Sequence, residues 1–506
     1  MFIILVCVLV AVMSVVSWLA FAGKADDENS EDAVTADYVT LPSMYSEGMV
    51  IQRNKPFTVR GTATPNSTIT VSLSRGDHHS ESITRSGELG AFSVSLDALP
   101  AGLEPYTLTI ASGDTTLVKI DDVYVGDVFL AAGQSNMEMN YSDYYGSADD
   151  ARKNLGDDLT VEDLPGCIDN ENVRFIVIDN ERAASNNGSS PVLREYNNEG
   201  WLTATENNAQ HLGYLPQYFA QELRERDSDI PVGIIQTAQA ATEIVEHMAG
   251  GSIYQTRIAL LHDYAIAGVL WYQGEQDSAT EPELGAYLGN FLQLIQQYRT
   301  LFNDDDLPFL YVQLARYDDG GEGWPRIRQA QYEAMKVIGK DAGIAMTVAL
   351  DTDKGTSSLI HPLGKELLAT RMADQWEAIH DGRDVPMGPI AMAADRNEDG
   401  SRVTISFMKG TAESLSVQTP VYEVAAWDGY VSKKTNESLS GVEVAGPDGV
   451  FHAAQAEISD DALIVSCPEV SDIQQVRYQW DAAPFAETQL YNDDGLPASP
   501  FWLRVG

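Results

Sequence analysis

Ser135 stands where a catalytic nucleophile is expected. It lies in the segment Gly133-Gln134-Ser135-Asn136-Met137, directly after the apolar run Val128–Ala132, which predicts a buried strand. A serine at the end of such a strand, on a glycine-containing turn into a helix, is exposed at the carboxyl edge of a sheet and can attack an acyl carbon. The same local sequence is equally well explained if Ser135 only caps the following helix.

A serine hydroxyl is a weak nucleophile until a base takes its proton. Among the eight histidines of the chain, His361 is the best candidate for that base. It lies in the loop after the predicted strand Ile344–Leu350 and precedes Pro362, a residue type favoured at the first position of a helix. A loop histidine at the carboxyl end of the last strand would reach Ser135 across the sheet edge.

A carboxylate often holds such a histidine in the required tautomer. Asp351 is the first candidate because it follows the same strand directly, and Asp353 is the alternative. Many esterases of this type place the acid three residues before the histidine, but that residue here is Ser358. A Ser–His dyad without an acid is therefore a third arrangement.

Acyl transfer also needs donors for the oxyanion of the tetrahedral intermediate. We expect the backbone N–H of Ser135, the amide nitrogen of Gln273 after the strand Val269–Tyr272, and a backbone N–H within Gln239–Thr242 after the strand Val232–Gln236. Each motif alone is weak evidence. Several polar motifs at the carboxyl ends of strands in one sheet indicate a shared site.

The elements that must position these residues follow three patterns along the chain. Short alternating segments at 38–121 predict an N-terminal β-domain, and short strands return in a C-terminal β-region at 385–506. Between them, residues 122–384 alternate apolar strands with helical stretches such as Leu215–Arg226 and Leu284–Leu301. This alternation predicts an α/β domain with a parallel sheet and helices on both faces, whose active site lies at the carboxyl ends of the strands.

Composition narrows the class of partner. The chain of 506 residues has 32 basic and 75 acidic residues, a formal net charge of −43, which disfavours nucleic acid and anionic membranes as partners. Met1–Ala22 is largely apolar and ends in a small-x-small site, so we expect a signal peptide and a secreted, extracellular, periplasmic or lumenal protein; an uncleaved N-terminal anchor is the alternative. Residues 23–37 then predict an acidic linker, and a disulfide between Cys167 and Cys467 stays open.

Three motifs together resemble a known family. The sequences GQSNM, WYQGEQD and HPLGK, each after a predicted strand, are similar to those of the sialate O-acetylesterase family, which belongs to the SGNH-like hydrolases. The resemblance extends to an opening segment and a closing segment outside the catalytic region, Leu41–Arg53 and Leu490–Phe501. It implies a three-layer α/β/α domain, Ser135 as nucleophile, His361 as base, Gln273 as oxyanion donor, an acetylated glycan or sialic acid as substrate, and no cofactor or metal.

The sequence departs from the family at one block. The usual Trp-Gly-Gly-Thr reads Gln239-Ala240-Ala241-Thr242, which keeps the N–H of Ala240 as an oxyanion donor but narrows the pocket and restricts the backbone angles. Two other functions therefore stay open: an acetylxylan-type esterase and a non-catalytic glycan-binding protein. A sialate enzyme also needs a local cation for the sugar carboxylate, and Arg316 is the candidate because it lies just beyond a strand end.

Overall fold

The computed structural model describes residues 34–141, 143, 166–179, 192–193, 200–339, 342–352, 360–421, 431–484 and 487–506. The predicted signal peptide, most of the predicted linker and Asp353 lie outside these ranges. Within the described part of the chain, no helix is both long and apolar enough to cross a membrane.

The N-terminal region consists of short strands, as its alternating pattern predicts. In β4, for example, every second side chain from Ile69 to Leu73 is buried, and β4 pairs antiparallel with β5 and β7. The strands of this region are β1 (Val39–Thr40), β2 (Val50–Gln52), β3 (Phe57–Ala63), β4 (Thr68–Arg75), β5 (His78–Arg85), β6 (Ala91–Leu96) and β7 (Gly102–Ser112).

A single long strand, β8 (Thr115–Gly133), connects this region to the central sheet. Its first part pairs antiparallel with β7, and its last part pairs in parallel with two strands of the central sheet. The predicted domain boundary between residues 121 and 122 lies inside β8. The two regions are therefore joined by continuous backbone hydrogen bonding and not only by a linker.

The central sheet is parallel in the order β9-β12-β8-β13-β14-β15. Four of its strands are buried along their whole length, which is why they read as uninterrupted apolar runs. The strands after β8 are β9 (Asn170–Asp179), β10 (Val192–Leu193), β11 (Leu202–Ala204), β12 (Val232–Gln236), β13 (Gly268–Tyr272), β14 (Phe309–Gln313) and β15 (Ile344–Val348). Short β10 and β11 pair antiparallel with β9.

Helices contact both faces of this sheet. Phe129 packs against Phe219 of α3 and Trp376 of α6 on one face, whereas Trp271 packs against Phe291 of α4 on the other. The α-helices are α1 (Ser135–Glu138), α2 (Glu206–Ala209), α3 (Tyr214–Arg226), α4 (Glu281–Leu301), α5 (Gly323–Ile338) and α6 (Lys365–His380). The helix that Pro362 was expected to begin starts at Lys365.

The C-terminal residues form three small antiparallel sheets. Their strands are β16 (Ala391–Arg396), β17 (Arg402–Phe407), β18 (Ser416–Val421), β19 (Val431–Lys434), β20 (Val442–Ala445), β21 (Phe451–Ala453), β22 (Gln455–Ser459), β23 (Ala462–Ser466), β24 (Gln475–Tyr478), β25 (Gln489–Tyr491) and β26 (Phe501–Arg504). Cys167 and Cys467 are free thiols, so no disulfide joins them.

Candidate active site

The turn that carries Ser135 requires glycine before it. Gly133 has a φ of 127°, and a Cβ atom on it would lie 2.2 Å from the carbonyl oxygen of Tyr272 on the neighbouring strand. The next residue, Gln134, donates its N–H to the same carbonyl at 2.9 Å. The chain therefore turns tightly against β13, and Ser135 begins α1 at the carboxyl edge of the sheet, with 6% of its surface exposed.

The side chain of Asn136 connects the three sequence motifs. Its Nδ2 donates to Oε1 of Glu275 at 2.6 Å and to the carbonyl of Ile360 at 3.0 Å. Its Oδ1 accepts a hydrogen bond from Nζ of Lys365 at 2.6 Å. A buried amide bonded on both ends fixes its neighbours, so the Ser135 turn, the loop after β13 and the start of α6 are held against each other.

His361 is brought to this edge through the residue before it. Ile360, bonded to Asn136, adjoins His361 in the chain, just as Asn136 adjoins Ser135. The Ser135 hydroxyl itself makes no hydrogen bond within the described ranges, and catalytic hydrogen bonds are often long until substrate binds. Burial, and then the charge of Lys365, lower the pKa of His361 to about 4. The imidazole is therefore neutral at pH 7 and can accept a proton.

Lys365 and Glu275 form a buried pair of charges around Asn136. Lys365 is 1% exposed, and its Nζ lies 4.9 Å from the ring centroid of Tyr272. Burial lowers the pKa of Lys365 to about 7, although Glu275 acts in the opposite direction. Burial also raises the pKa of Glu275, while its hydrogen bond from Asn136 and the charge of Lys365 lower it. The Lys365 ammonium group therefore loses its proton near pH 7.

Asp351, the acid predicted to orient His361, pairs with an arginine in the structure. Asp351 is 2% exposed, and its two carboxylate oxygens accept hydrogen bonds from the guanidinium of Arg371 at 2.8 and 2.7 Å. This bidentate pair ties the end of β15 to α6. A bidentate pair of this kind stabilises the fold, and the role of Asp351 toward the imidazole stays a prediction. The alternative acid, Asp353, lies outside the described residues.

Gln273 contacts Gln134, the residue before Ser135, and its amide nitrogen is engaged. Its Nε2 donates to Oδ2 of Asp277 at 2.5 Å, to the carbonyl of Thr242 at 3.0 Å and to Oε1 of Gln134 at 3.3 Å. The side chain is fully buried. Donation to an oxyanion would require one of these bonds to open. In this structure the contacts of Gln273 position the residue before Ser135.

The N–H of Ala240 also has a partner. It donates to Oε2 of Glu138, the last residue of α1, at 2.6 Å. Ala241 has a φ of 55°, in the left-handed region that disfavours a side chain with a Cβ atom. Ala241 therefore holds a backbone angle that glycine adopts at lower cost. Gln239 is bonded through its Oε1 to Arg257 at 2.5 Å.

Arg316 follows β14 at the same edge of the sheet, as expected, but it is only 3% exposed. A guanidinium buried to this extent meets a substrate carboxylate only if the pocket reaches it. Its predicted role as the cation that binds sialate is not tested by its position alone.

Sequence reasoning missed Asn136, Lys365 and Glu138 as members of the site. Each lies inside a motif that was already singled out or next to one, and each is a polar residue that is less than one-tenth exposed. Their spacing was the available signal. Asn136 and Glu138 lie one and three residues after Ser135, and Lys365 lies four residues after His361.

A cavity of about 520 Å³ opens at the opposite edge of the sheet, lined by Arg53, Asp127, Pro308, Gly343 and His380 among others. These residues lie at the amino ends of the parallel strands. Open α/β sheets bind their ligands at the carboxyl ends, so we assign the chemistry to the edge that carries Ser135.

Comparison with known proteins agrees with this geometry. Residues 125–374 match a family model described as carbohydrate esterase, sialic acid-specific acetylesterase. The match covers just under half of the chain. The matched region begins within β8 and ends within α6, and it includes Ser135, Gln273 and His361.

Three known proteins illustrate the range of similarity to this chain. Human sialate O-acetylesterase is 24% identical over 392 residues, which cover 65% of this chain and 69% of the human protein. A probable carbohydrate esterase of Arabidopsis thaliana is 30% identical over 112 residues, which cover 21% of this chain and 42% of that protein. The crystal structure of a carbohydrate acetylesterase from Xanthomonas citri superposes with a TM-score of 0.71 at 26% identity, over 92% of this chain and 99% of that one.

Proposed function

We propose that this protein is a carbohydrate esterase that removes acetyl groups from sugar hydroxyls, with Ser135 as nucleophile and His361 as general base on an SGNH-type three-layer domain. The observation that carries the proposal is the position of Asn136, which bonds the loop of His361 from the residue next to Ser135. The neutral state of the buried His361 at pH 7 supports its role, because only the unprotonated imidazole can accept the hydroxyl proton.

The reaction proceeds in two acyl transfers. His361 takes the proton of the Ser135 hydroxyl while the oxygen attacks the acetyl carbon, and the resulting imidazolium returns that proton to the departing sugar oxygen. Water then enters, gives a proton to His361 and attacks the acetyl-enzyme. Acetate leaves, and Ser135 recovers its proton from His361.

The best hydrogen-bond donor for the oxyanion lies at the start of α1. The backbone N–H of Ser135 lies in the first turn of that helix, where amide groups have no partner within the helix. Ala240 and Gln273 remain proposed donors, and each would first have to leave its present acceptor, Glu138 or Asp277. We therefore rank Ser135 first among the three donors.

Two substitutions test which carboxylate, if any, orients His361. Asp353→Asn is expected to lower kcat if this residue orients His361, and to leave kcat unchanged if the enzyme uses a Ser–His dyad. Asp351→Asn supplies the comparison, because its carboxylate pairs with Arg371.

Ser135→Ala tests the proposal directly. We expect acetate release from p-nitrophenyl acetate and from acetylated sugars to fall by about 10³-fold or more, the scale of losing a triad nucleophile. Ser82→Ala, which removes a hydroxyl from strand β5, is the matched control and should retain full activity. Turnover by Ser135→Ala near that of the control would overturn the proposal and favour a non-catalytic glycan-binding protein.

A neutral polysaccharide ester is the second candidate substrate. It requires no cation, whereas a sialate substrate would have to bring its carboxylate to Arg316, which is 3% exposed. Comparing kcat/KM on acetylated sialic acid and acetylated xylan, for the parent and for Arg316→Ala, separates the two. A loss confined to the sialate substrate would support sialate as the natural ester.

A further inference from the structure

A second cavity lies where the loop after β14 meets the C-terminal strands. Its volume of about 550 Å³ is within the roughly 300–1,000 Å³ typical of ligand sites. One wall comes from residues 318–326, and the other comes from β24, β26 and the segment after β24. Acidic side chains, basic side chains and two tryptophans line the cavity. They are Asp318, Glu322, Arg326, Arg477, Trp480, Asp481 and Trp502.

The two tryptophans form a rigid aromatic surface. Trp502 is 37% exposed although it is large and apolar. Its ring meets Trp480 edge-on at 5.0 Å and Phe451 edge-on at 5.6 Å between centroids, and its Nε1 donates to Oε1 of Gln475 at 3.0 Å. The ring is therefore oriented from three sides before any ligand arrives, which lowers the entropy cost of binding to it.

This aromatic surface is fixed to the helix that supports the active site. The side chain of Gln329 in α5 accepts a hydrogen bond from the backbone N–H of Trp502 at 2.9 Å and donates one to the backbone carbonyl of Trp502 at 3.0 Å. Two residues further along α5, Gln331 donates to the carbonyl of Gln273 at 3.0 Å. The cavity is thus held at a constant position relative to the loop that adjoins Ser135.

The charges in the cavity select against an anionic ligand. Arg477 is paired with Glu443 at 2.7 Å and lies 3.9 Å over the ring of Phe451, and Arg326 is paired with Glu281. Both cations are therefore neutralised by partners. The carboxylates of Asp318, Glu322 and Asp481 accept hydrogen bonds from hydroxyl groups and repel a carboxylate.

We propose that this cavity is a glycan subsite that binds a neutral pyranose unit, with its C–H face on Trp502 and its hydroxyls toward the surrounding carboxylates. The purpose of this subsite rests on the proposed function. The subsite would bind one sugar unit of the acetylated glycan while Ser135 attacks an ester elsewhere on the same glycan. An aromatic face flanked by a few polar groups is the chemistry that recognises such amphipathic rings.

Binding of unacetylated xylohexaose to the full chain tests the subsite, since this probe offers no ester to Ser135. By isothermal titration calorimetry, we expect Trp502→Ala to weaken binding about ten-fold, a common effect of removing one well-packed tryptophan contact. Glu322→Lys, which changes the opposite wall without touching the aromatic cluster, is expected to act in the same direction. Tyr38→Ala, which removes another exposed aromatic side chain, should bind as the parent does.

Equal affinity of the parent, Trp502→Ala and Glu322→Lys would overturn the subsite, as would an absence of binding by the parent. Tighter binding of a sialylated trisaccharide than of xylohexaose, lost in Trp502→Ala, would overturn its neutral specificity. These outcomes are independent of acetate release, so a failure of the subsite is distinguishable from a failure of the esterase mechanism.

Discussion

Nδ2 of Asn136 lies 3.0 Å from the carbonyl oxygen of Ile360, and this one hydrogen bond joins the residue after the proposed nucleophile to the residue before the proposed base. The same amide group is held on its other sides by Glu275 and Lys365. The relative position of Ser135 and His361 therefore depends on a side chain that performs no chemical step.

Asn136→Ala should lower kcat by about 10- to 100-fold with little change in KM. The reason is that small displacements of reacting groups have effects of this size. The measurement is steady-state kinetics on p-nitrophenyl acetate, with Asn208→Ala, which loses a bond to the carbonyl of Thr203, as the control. If both variants lost activity equally, Asn136 would have only a general structural role.

The acid limb of kcat/KM should have its midpoint near pH 4 and not near 6.5, the ordinary value for histidine. Activity rises with pH as His361 loses its proton, and its pKa is lowered to about 4. Lys365→Met removes the positive charge that contributes to this shift, so its acid limb should move toward higher pH. A profile that does not move in this variant would contradict the assigned electrostatic role of Lys365.

Asp351→Asn should reduce the free energy of unfolding by about 3–5 kcal/mol, because it leaves the buried guanidinium of Arg371 without its charge partner. The kcat of the folded fraction should stay near that of the parent. Urea unfolding measures the first quantity. Asp304→Asn, in an ion pair with a 45% exposed Lys55, is the control and should change stability by about 1 kcal/mol or less.

Acidification should destabilise the parent relative to His361→Asn. The folded-state pKa of His361 is depressed, so its stabilising contribution is present above about pH 6.5, the unfolded value. It is lost as the pH falls toward 4, by up to roughly 1.4 kcal/mol per pH unit. The difference between the two proteins is the quantity to measure, because Asp277, whose pKa is raised to about 7, acts in the opposite direction. A difference independent of pH would contradict the depressed pKa.

Much of the fold was predictable because its signals are local. The strand Val232–Gln236 was predicted with its observed bounds, and β13 and β15 to within two residues at each end. A run of apolar residues between turns reports burial on both faces of a parallel sheet, and no distant contact is needed to recognise it. The helix start after His361 was placed too early because Pro362 is only a local preference.

The sequence by itself determined that Ser135, Gln273 and His361 each follow a strand of one sheet, because strand periodicity and turn chemistry are properties of neighbouring residues. Tertiary structure alone decided which polar groups meet. Asn136 reaches Glu275 and Lys365 across 139 and 229 residues of chain, and Asp351 pairs with Arg371 across 20 residues. A buried polar group bonds to whichever partner packing places within about 3 Å, and spacing along a chain does not contain that distance.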